Sequence, residues 1–345
     1  MRTSQLGGSD LSVSEICLGT MTFGAQNSEA ESHSQLDRAF AAGVNFIDTA
    51  EMYAVPPTAK TYGKTEQIVG NWLVRQAREK VILATKACGP GRSLNWIRGG
   101  PTGFDRANLR AAVEASLKRL RTSYIDLYQL HWPARNQPMF GQWQYDPAQE
   151  RPATPIRETL EALAELVREG KIRYVGLSNE HSWGVMEFVR LARAYDLPRV
   201  VTLQNAYHLM NRVFESGLAE VCHRENVSLL PYSPLAFGIL SGKYLADPKA
   251  SGRITLFAGF GQRYAKPNVD AAVAAYADLA RRNGLTPSQL ALSFVYSRWF
   301  VASTVIGATT MAQLEENLGA SELKLSADVL EAIDAIHLRY TNPAP

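Results

Sequence analysis

Asp48, Tyr53, Lys86 and His131 each stand at or just beyond the end of a short apolar run. Asp48 closes Asn45-Phe46-Ile47, Lys86 follows Val81-Ile82-Leu83-Ala84, and His131 closes the run Tyr124 to Leu130. Tyr53 lies five residues beyond Asp48 on the connecting segment. A carboxylate beside a buried strand is costly unless a cation answers it, and Lys86 is the cation on offer. A free tyrosine titrates near pH 10 and is a poor acid at neutral pH. An adjacent ammonium favours the phenolate, which makes the phenol a usable proton donor. Asp48 would hold and balance Lys86, and a ring N–H of His131 would orient a carbonyl oxygen and share the charge that develops on it. Such a set can add a proton to a carbonyl oxygen. It contains neither a nucleophile nor a metal cluster, so the electrons must come from elsewhere.

Taken singly, each of these residues has a plain structural explanation: a capping carboxylate, a solvated loop lysine, a half-buried loop aromatic, a hydrogen-bonded core histidine. The functional reading depends on the fold bringing them to one rim. Leu11 to Ile16 alternates like a strand and suggests a small hairpin ahead of the main fold. The first buried strand ends at Cys17-Leu18-Gly19-Thr20, and a helix follows, with Ser28 and Glu31 at capping-box spacing. Further strands are read over Val44–Ile47, Val81–Ala84, Tyr124–Leu130, Ile172–Leu177, Val200–Leu203, Val227–Pro231 and Ser303–Ile306. Helical patterns cover Thr65–Gln76, Asp105–Arg121, Ile156–Glu169, Gly184–Tyr195, Glu215–Glu225, Asp270–Asn283, Pro287–Arg298, Thr310–Leu318 and Ala327–Arg339. Thr286, Pro287 and Gln289 start one of these with a cap, a first-turn proline and a capping box. Eight strand–helix units with no break in composition imply a parallel sheet covered by helices. Without a Gly-x-Gly-x-x-Gly fingerprint, they favour one α/β domain over residues 1–345: a (β/α)8 TIM barrel with an N-terminal hairpin and an extra C-terminal helix. Chemistry in that fold sits at the C-terminal strand ends, and neighbouring strands about 4.8 Å apart would present Asp48, Lys86 and His131 side by side.

Composition narrows the class. The 345 residues are 46% hydrophobic, enough for a large core, and the net charge is only +3 with both signs interspersed. No nucleic-acid or membrane partner is expected on that basis. Cys17, Cys88 and Cys222 have no paired spacing for zinc or disulfides, so no metal is expected. The N-terminus lacks the apolar core of a signal peptide and no apolar run approaches a membrane span, so a cytoplasmic location is expected. Quaternary structure is not legible in the sequence.

With these residues in place, the chain resembles the aldo-keto reductases, a family with a (β/α)8 barrel, an Asp–Tyr–Lys–His tetrad and NADPH as hydride donor. Asp48, Tyr53, Lys86 and His131 match that tetrad in order, spacing and strand context. The similarity runs over essentially the whole chain through Leu18 to Gly24, with Thr20 and Met21 among the cofactor-side residues, then Gly176 to Asn179 and Tyr232 to Leu235. Ala50 to Tyr53, Gly70 to Leu73 and Gly307 to Met311 are most like the bacterial Tas-type subgroup. The resemblance implies that Ser178, Asn179 and Gln204 meet a nicotinamide carboxamide and that Tyr232 stacks on its ring. It also implies that Ser233, Pro234, Leu235, Gly238, Leu240 and Lys243 cover the pyrophosphate, and that Gly307, Thr309, Gln313, Glu316 and Asn317 hold the adenosine end. Better-known members carry Lys and Arg where this chain has Gly307 and Gln313. Relatives of the potassium-channel β-subunit branch use a loop arginine instead, and Arg253 matches it, so NADPH is the cofactor expected.

The loops over residues 54–63, 87–104 and 132–154 carry Trp96, Trp132, Phe140, Trp143 and Tyr145. Trp96, Trp132 and Trp143 are the expected substrate contacts, suited to an apolar or aromatic carbonyl compound; packing within their own loops is the other reading. The expected activity is NADPH-dependent reduction of an aldehyde or ketone. Two alternatives stand beside it: an NADPH-binding redox-sensing subunit with slow turnover, and a lyase in which Lys86 forms a Schiff base.

Overall fold

The computed structural model describes Met1–Pro345. Two short strands, β1 (Thr3–Gln5) and β2 (Ser12–Ser14), form an antiparallel hairpin that precedes the main sheet. Eight strands then follow in parallel: β3 (Ile16–Gly19), β4 (Phe46–Asp48), β5 (Ile82–Ala87), β6 (Ile125–Leu130), β7 (Ile172–Ser178), β8 (Val200–Gln204), β9 (Ser228–Leu229) and β10 (Thr304–Ile306). Their order is β10-β3-β4-β5-β6-β7-β8-β9. The ring closes through parallel bridges from Leu229 to Val301 and from Tyr232 to Val305. This is the (β/α)8 barrel. The seventh strand is shorter than the expected Val227–Pro231, because closure there passes through isolated bridges.

Helices cover the outside between strands. Both expected capping boxes are present, Ser28 with Glu31 and Thr286 with Gln289, and each satisfies orphan N–H groups at a helix start. The helix Ile156–Arg168 ends before Gly170, whose φ of +70° suits a glycine. Between β9 and the helix Val269–Arg282 lie short helical turns that alternation alone does not reveal: Ala236–Ser241, Lys243–Ala246, Arg253–Leu256 and Gln262–Tyr264. The terminal helix Ala327–Arg339 supplies Asp334, which accepts a 2.6 Å hydrogen bond from Arg212. No helix is long and apolar enough to cross a membrane.

Strand alternation sets two layers inside the ring. Cys17, Phe46, Ile82, Ala84 and Leu127 point inward and join Val201, Leu230, Ala302 and Val305 in a small buried cluster. Leu6, Leu11 and Val13, from the hairpin region, close its lower end. Two residues further along the same strands, the inward positions become Asp48, Lys86 and Gln129. Opposite them the register slips between β7 and β8, with Val175 facing Val200 but Gly176 facing Thr202. This bulge changes the phase of β8, so that Val201 joins the apolar layer while Gln204 joins the polar one. A large outer cluster of 68 residues, including Leu18, Leu83 and Leu130, packs the strands against the helices.

At Gly176 the layers leave no room for a side chain. A Cβ there would lie 2.2 Å from Thr202 Oγ1 and 3.1 Å from Gln129 Cγ. Gly176→Ala should therefore destabilise by about 1–3 kcal/mol, the usual cost of overpacking. Urea unfolding would register this as a lower midpoint with an unchanged slope; an unaltered midpoint would mean that the layer has slack.

Candidate active site

Apart from Tyr53, the groups at the site come from the C-terminal ends of strands. Asp48 ends β4, Lys86 lies one residue from the end of β5, His131 follows β6, Ser178 ends β7 and Gln204 ends β8. Asp48 is 2% exposed and Lys86 fully buried. Lys86 Nζ donates to Asp48 Oδ2 at 2.6 Å and to the carbonyl of Thr49 at 2.9 Å. The other carboxylate oxygen of Asp48 accepts from Gln129 Nε2 at 3.1 Å and from Gln204 Nε2 at 2.8 Å. The buried charge is thus surrounded by donors from three other strands. Gln129 is a member of this set that reading strand ends alone misses. Its signal was its place two residues before His131 on the same inward face.

Tyr53 is placed by its loop. Thr49 N donates to Ala84 O and Glu51 N to Lys86 O, which sews the segment after β4 onto β5. The buried carboxylate of Glu51 accepts from Cys88 N and pairs with Arg98, and Val55 N donates to Met21 O. The Tyr53 ring centroid then lies 5.2 Å from Lys86 Nζ. Its edge-on neighbour is His131, with centroids 5.7 Å apart. Trp132 is the next ring, 5.0 Å from His131.

Burial raises the Tyr53 pKa, and the opposing pull of the Lys86 ammonium does not overcome it. The sequence-based expectation of a lowered value is corrected here: Tyr53 is a protonated phenol at neutral pH. Desolvation also pulls the Lys86 ammonium down, but attraction to Asp48 and Tyr53 and the hydrogen bond to Asp48 leave its pKa raised. His131 is held well below the ordinary histidine range, first by burial and then by repulsion from Lys86 and Arg92, so its imidazole is neutral. Its Nδ1 is buried without a partner. The arrangement can therefore offer a proton from a phenol and a hydrogen bond from a neutral ring.

Asp48, Tyr53, His131, Ser178 and Gln204, with Lys86 sealed behind them, line a cleft of about 760 Å³ whose wall also includes Gly307, Thr309, Gln313, Glu316 and Asn317. A model of the aldo/keto reductase family matches residues 15–338. Protein tas of Escherichia coli K12 is 53% identical over 347 residues, covering 100% of both chains. An aldo-keto reductase of Babesia bovis is 38% identical, covering 76% of this chain and 98% of its own. The uncharacterized oxidoreductase YrpG of Bacillus subtilis is 31% identical, covering 97% and 96% respectively. The chain belongs to the aldo/keto reductase family. It is an oxidoreductase of the kind that works with a nicotinamide cofactor.

The cleft's donors and acceptors fit such a cofactor. Asn179 Nδ2 donates to His131 O and Ser178 Oγ, and its Oδ1 accepts from the Tyr232 hydroxyl at 2.8 Å. The amide hydrogens of Gln204 go to Asp48 and, at 3.4 Å, to Gln129, while its Oε1 accepts nothing from the protein. What Asn179 and Gln204 still offer is acceptor capacity, which suits the NH₂ of a carboxamide. Thr20, Met21, Ser233, Pro234, Leu235, Gly238, Lys243 and Arg253 also line the cleft. Gly238 has φ +91°, in a turn where Ala236 and Phe237 also have positive φ. Arg253 makes no salt bridge or side-chain hydrogen bond, and its guanidinium sits 4.9 Å over the Phe237 ring, free to meet a phosphate.

Three expected contacts do not reach the cleft. Leu240 is 2% exposed and packs into the outer core, because the left-handed turn before it directs its side chain inward. Trp96 and Trp143, on outward-facing loop positions, are 36% and 69% exposed and do not line the cleft. Tyr145, also on the outside, bonds Glu150. Trp132 and Phe140 do form part of the wall.

A histidine held neutral by the fold binds its proton more weakly folded than unfolded. Its contribution to stability is full above about pH 6.5 and is lost as pH falls below that value. His208, pushed down to about 3 by burial, acts in the same direction. Urea midpoints at pH 7, 6 and 5 should fall steadily in the parent. In His131→Gln the slope should be smaller by up to about 1.4 kcal/mol per pH unit. An identical slope in both proteins would show that His131 is not held neutral.

Proposed function

We propose that this chain catalyses NADPH-dependent reduction of an aldehyde or ketone to an alcohol, with Tyr53 as the proton donor. The observation that carries the reading is the sealed Asp48–Lys86 bond of 2.6 Å beneath Tyr53, with neutral His131 across from the phenol. The nicotinamide, when bound, supplies the hydride. A carbonyl oxygen between Tyr53 and His131 accepts a hydrogen bond from the imidazole and receives the phenolic proton as negative charge builds on it. Lys86, fixed and charged, stabilises the phenolate that this transfer leaves. A raised resting pKa is consistent with this role. It keeps the acid protonated, and the ammonium acts where it matters, on the developing phenolate.

The lyase alternative fits poorly, since Lys86 is fully buried and hydrogen-bonded to Asp48, so no substrate carbonyl meets its nitrogen. For the cofactor, Ser178, Asn179, Gln204 and Tyr232 are assigned to the nicotinamide, and Ser233 to Leu235, Gly238 and Lys243 to the pyrophosphate. Gly307, Thr309, Gln313, Glu316 and Asn317 are assigned to the adenosine end. Arg253 is the cation assigned to the 2′-phosphate, which favours NADPH over NADH.

Tyr53→Phe should lower carbonyl reduction by about 10²-fold or more while NADPH affinity stays within a small factor. Turnover close to the parent's would remove Tyr53 from the role of acid. Arg253→Ala should raise the Kd for NADPH by about tenfold or more and that for NADH far less, a charge-assisted phosphate contact having been lost. Fluorescence titration with both dinucleotides decides the matter, and equal weakening of the two would refute the assignment.

A further inference from the structure

The cleft wall is unevenly charged. Its cations are Arg92, Lys243, Arg253 and Arg263, and its carboxylates are Asp48 and Glu316. Asp48 is neutralised by Lys86, and Glu316 accepts from the Thr286 hydroxyl. Neither Arg92 nor Arg263 has a carboxylate partner; Arg263 lies against the Tyr232 and Tyr264 hydroxyls, which do not neutralise it, and Arg92 has no side-chain hydrogen bond. Both guanidinium groups flank the Phe140 ring, with Cζ at 4.3 Å and 5.6 Å from its centroid. Arg92 also lies 5.3 Å over Trp132, whose ring is 5.0 Å from His131. Its guanidinium is therefore no more than about 10 Å from the imidazole, the two steps together. The loop that carries Phe140 is held in place, since Lys266 Nζ donates to Gly141 O at 3.0 Å.

Two guanidinium groups, each a planar fork of N–H donors with no acceptor, converge from two loops on the Phe140 ring beside the carbonyl site. Aromatic faces and phenol hydroxyls orient them, but no carboxylate neutralises either charge. We propose that Arg92 and Arg263 form a carboxylate-binding clamp, so that the preferred substrates are aldehydes or ketones that carry a carboxylate away from the reacting carbonyl. This rests on the reductase reading and narrows it. The apolar walls Trp132 and Phe140 receive the body of the molecule, and the clamp takes its far end. A para-disubstituted benzene bridges such a separation.

The probes are 4-carboxybenzaldehyde and its neutral methyl ester, methyl 4-formylbenzoate, compared by initial rates of NADPH oxidation. The acid should exceed the ester in kcat/KM by about tenfold or more, chiefly through KM, since a charge-assisted pair is being made. Arg92→Gln and Arg263→Gln should each bring the acid-to-ester ratio down towards one, with the KM for the acid rising most. Added salt should erode the parent's preference. A parent that reduces the ester as well as the acid overturns the clamp and leaves the reductase reading standing. A ratio that survives both substitutions also overturns it, as does an Arg263→Gln protein altered only in its Kd for NADPH. Failure of the parent to reduce either compound overturns both readings.

Discussion

An ammonium and a carboxylate 2.6 Å apart, sealed inside a ring of strands, set the terms for everything above them. Removing two such ions from water costs several kcal/mol each, and their mutual attraction recovers this only when the remaining hydrogen-bonding capacity is met. Here it is met by the carbonyl of Thr49 and the amides of Gln129 and Gln204. The bulge between β7 and β8 serves the same end, because without the phase change Gln204 would point away from Asp48. The pair is better understood as a fixed charge held under a phenol than as a source of stability.

From that charge the chemistry follows by position. Burial alone would make Tyr53 a reluctant acid, and it does raise its pKa. Lys86 cannot leave and cannot be reached, so in the proposed reaction its charge acts on the phenolate rather than on the substrate. His131, kept neutral by burial and by the cations around it, can donate one hydrogen bond without adding a second full charge. The outer cleft has a different character. Its arginines have no acidic partners, and the aromatic rings between them hold the guanidinium groups without neutralising them.

Much of this was legible in the residue order. The eight units, the hairpin, both capping boxes and the four tetrad positions follow from period, punctuation and strand ends. Gln129 was not singled out, because a glutamine within an apolar strand has no sequence signal beyond its alternation with His131. Nor were Arg92 and Arg263, whose roles depend on how two loops without periodicity fold over each other. The same limit misplaced Trp96, Trp143 and Leu240. Residue type suggested contact, but the loop backbone turned the first two outward and the last inward. The direction of the Tyr53 shift was misjudged for a related reason, since charge neighbours can be read from spacing while the depth of burial cannot.

The claim that organises the site is that Lys86, out of reach of the cleft, makes proton delivery by Tyr53 possible. The most direct measurement is the single-turnover rate of NADPH oxidation by Lys86→Met with an aldehyde, alongside NADPH affinity by fluorescence. The account predicts a rate lower by about 10²–10⁴-fold, the range for loss of assisted proton transfer, with affinity essentially preserved. A rate within about tenfold of the parent's would contradict it, because effects of that size fall below what assisted proton transfer contributes.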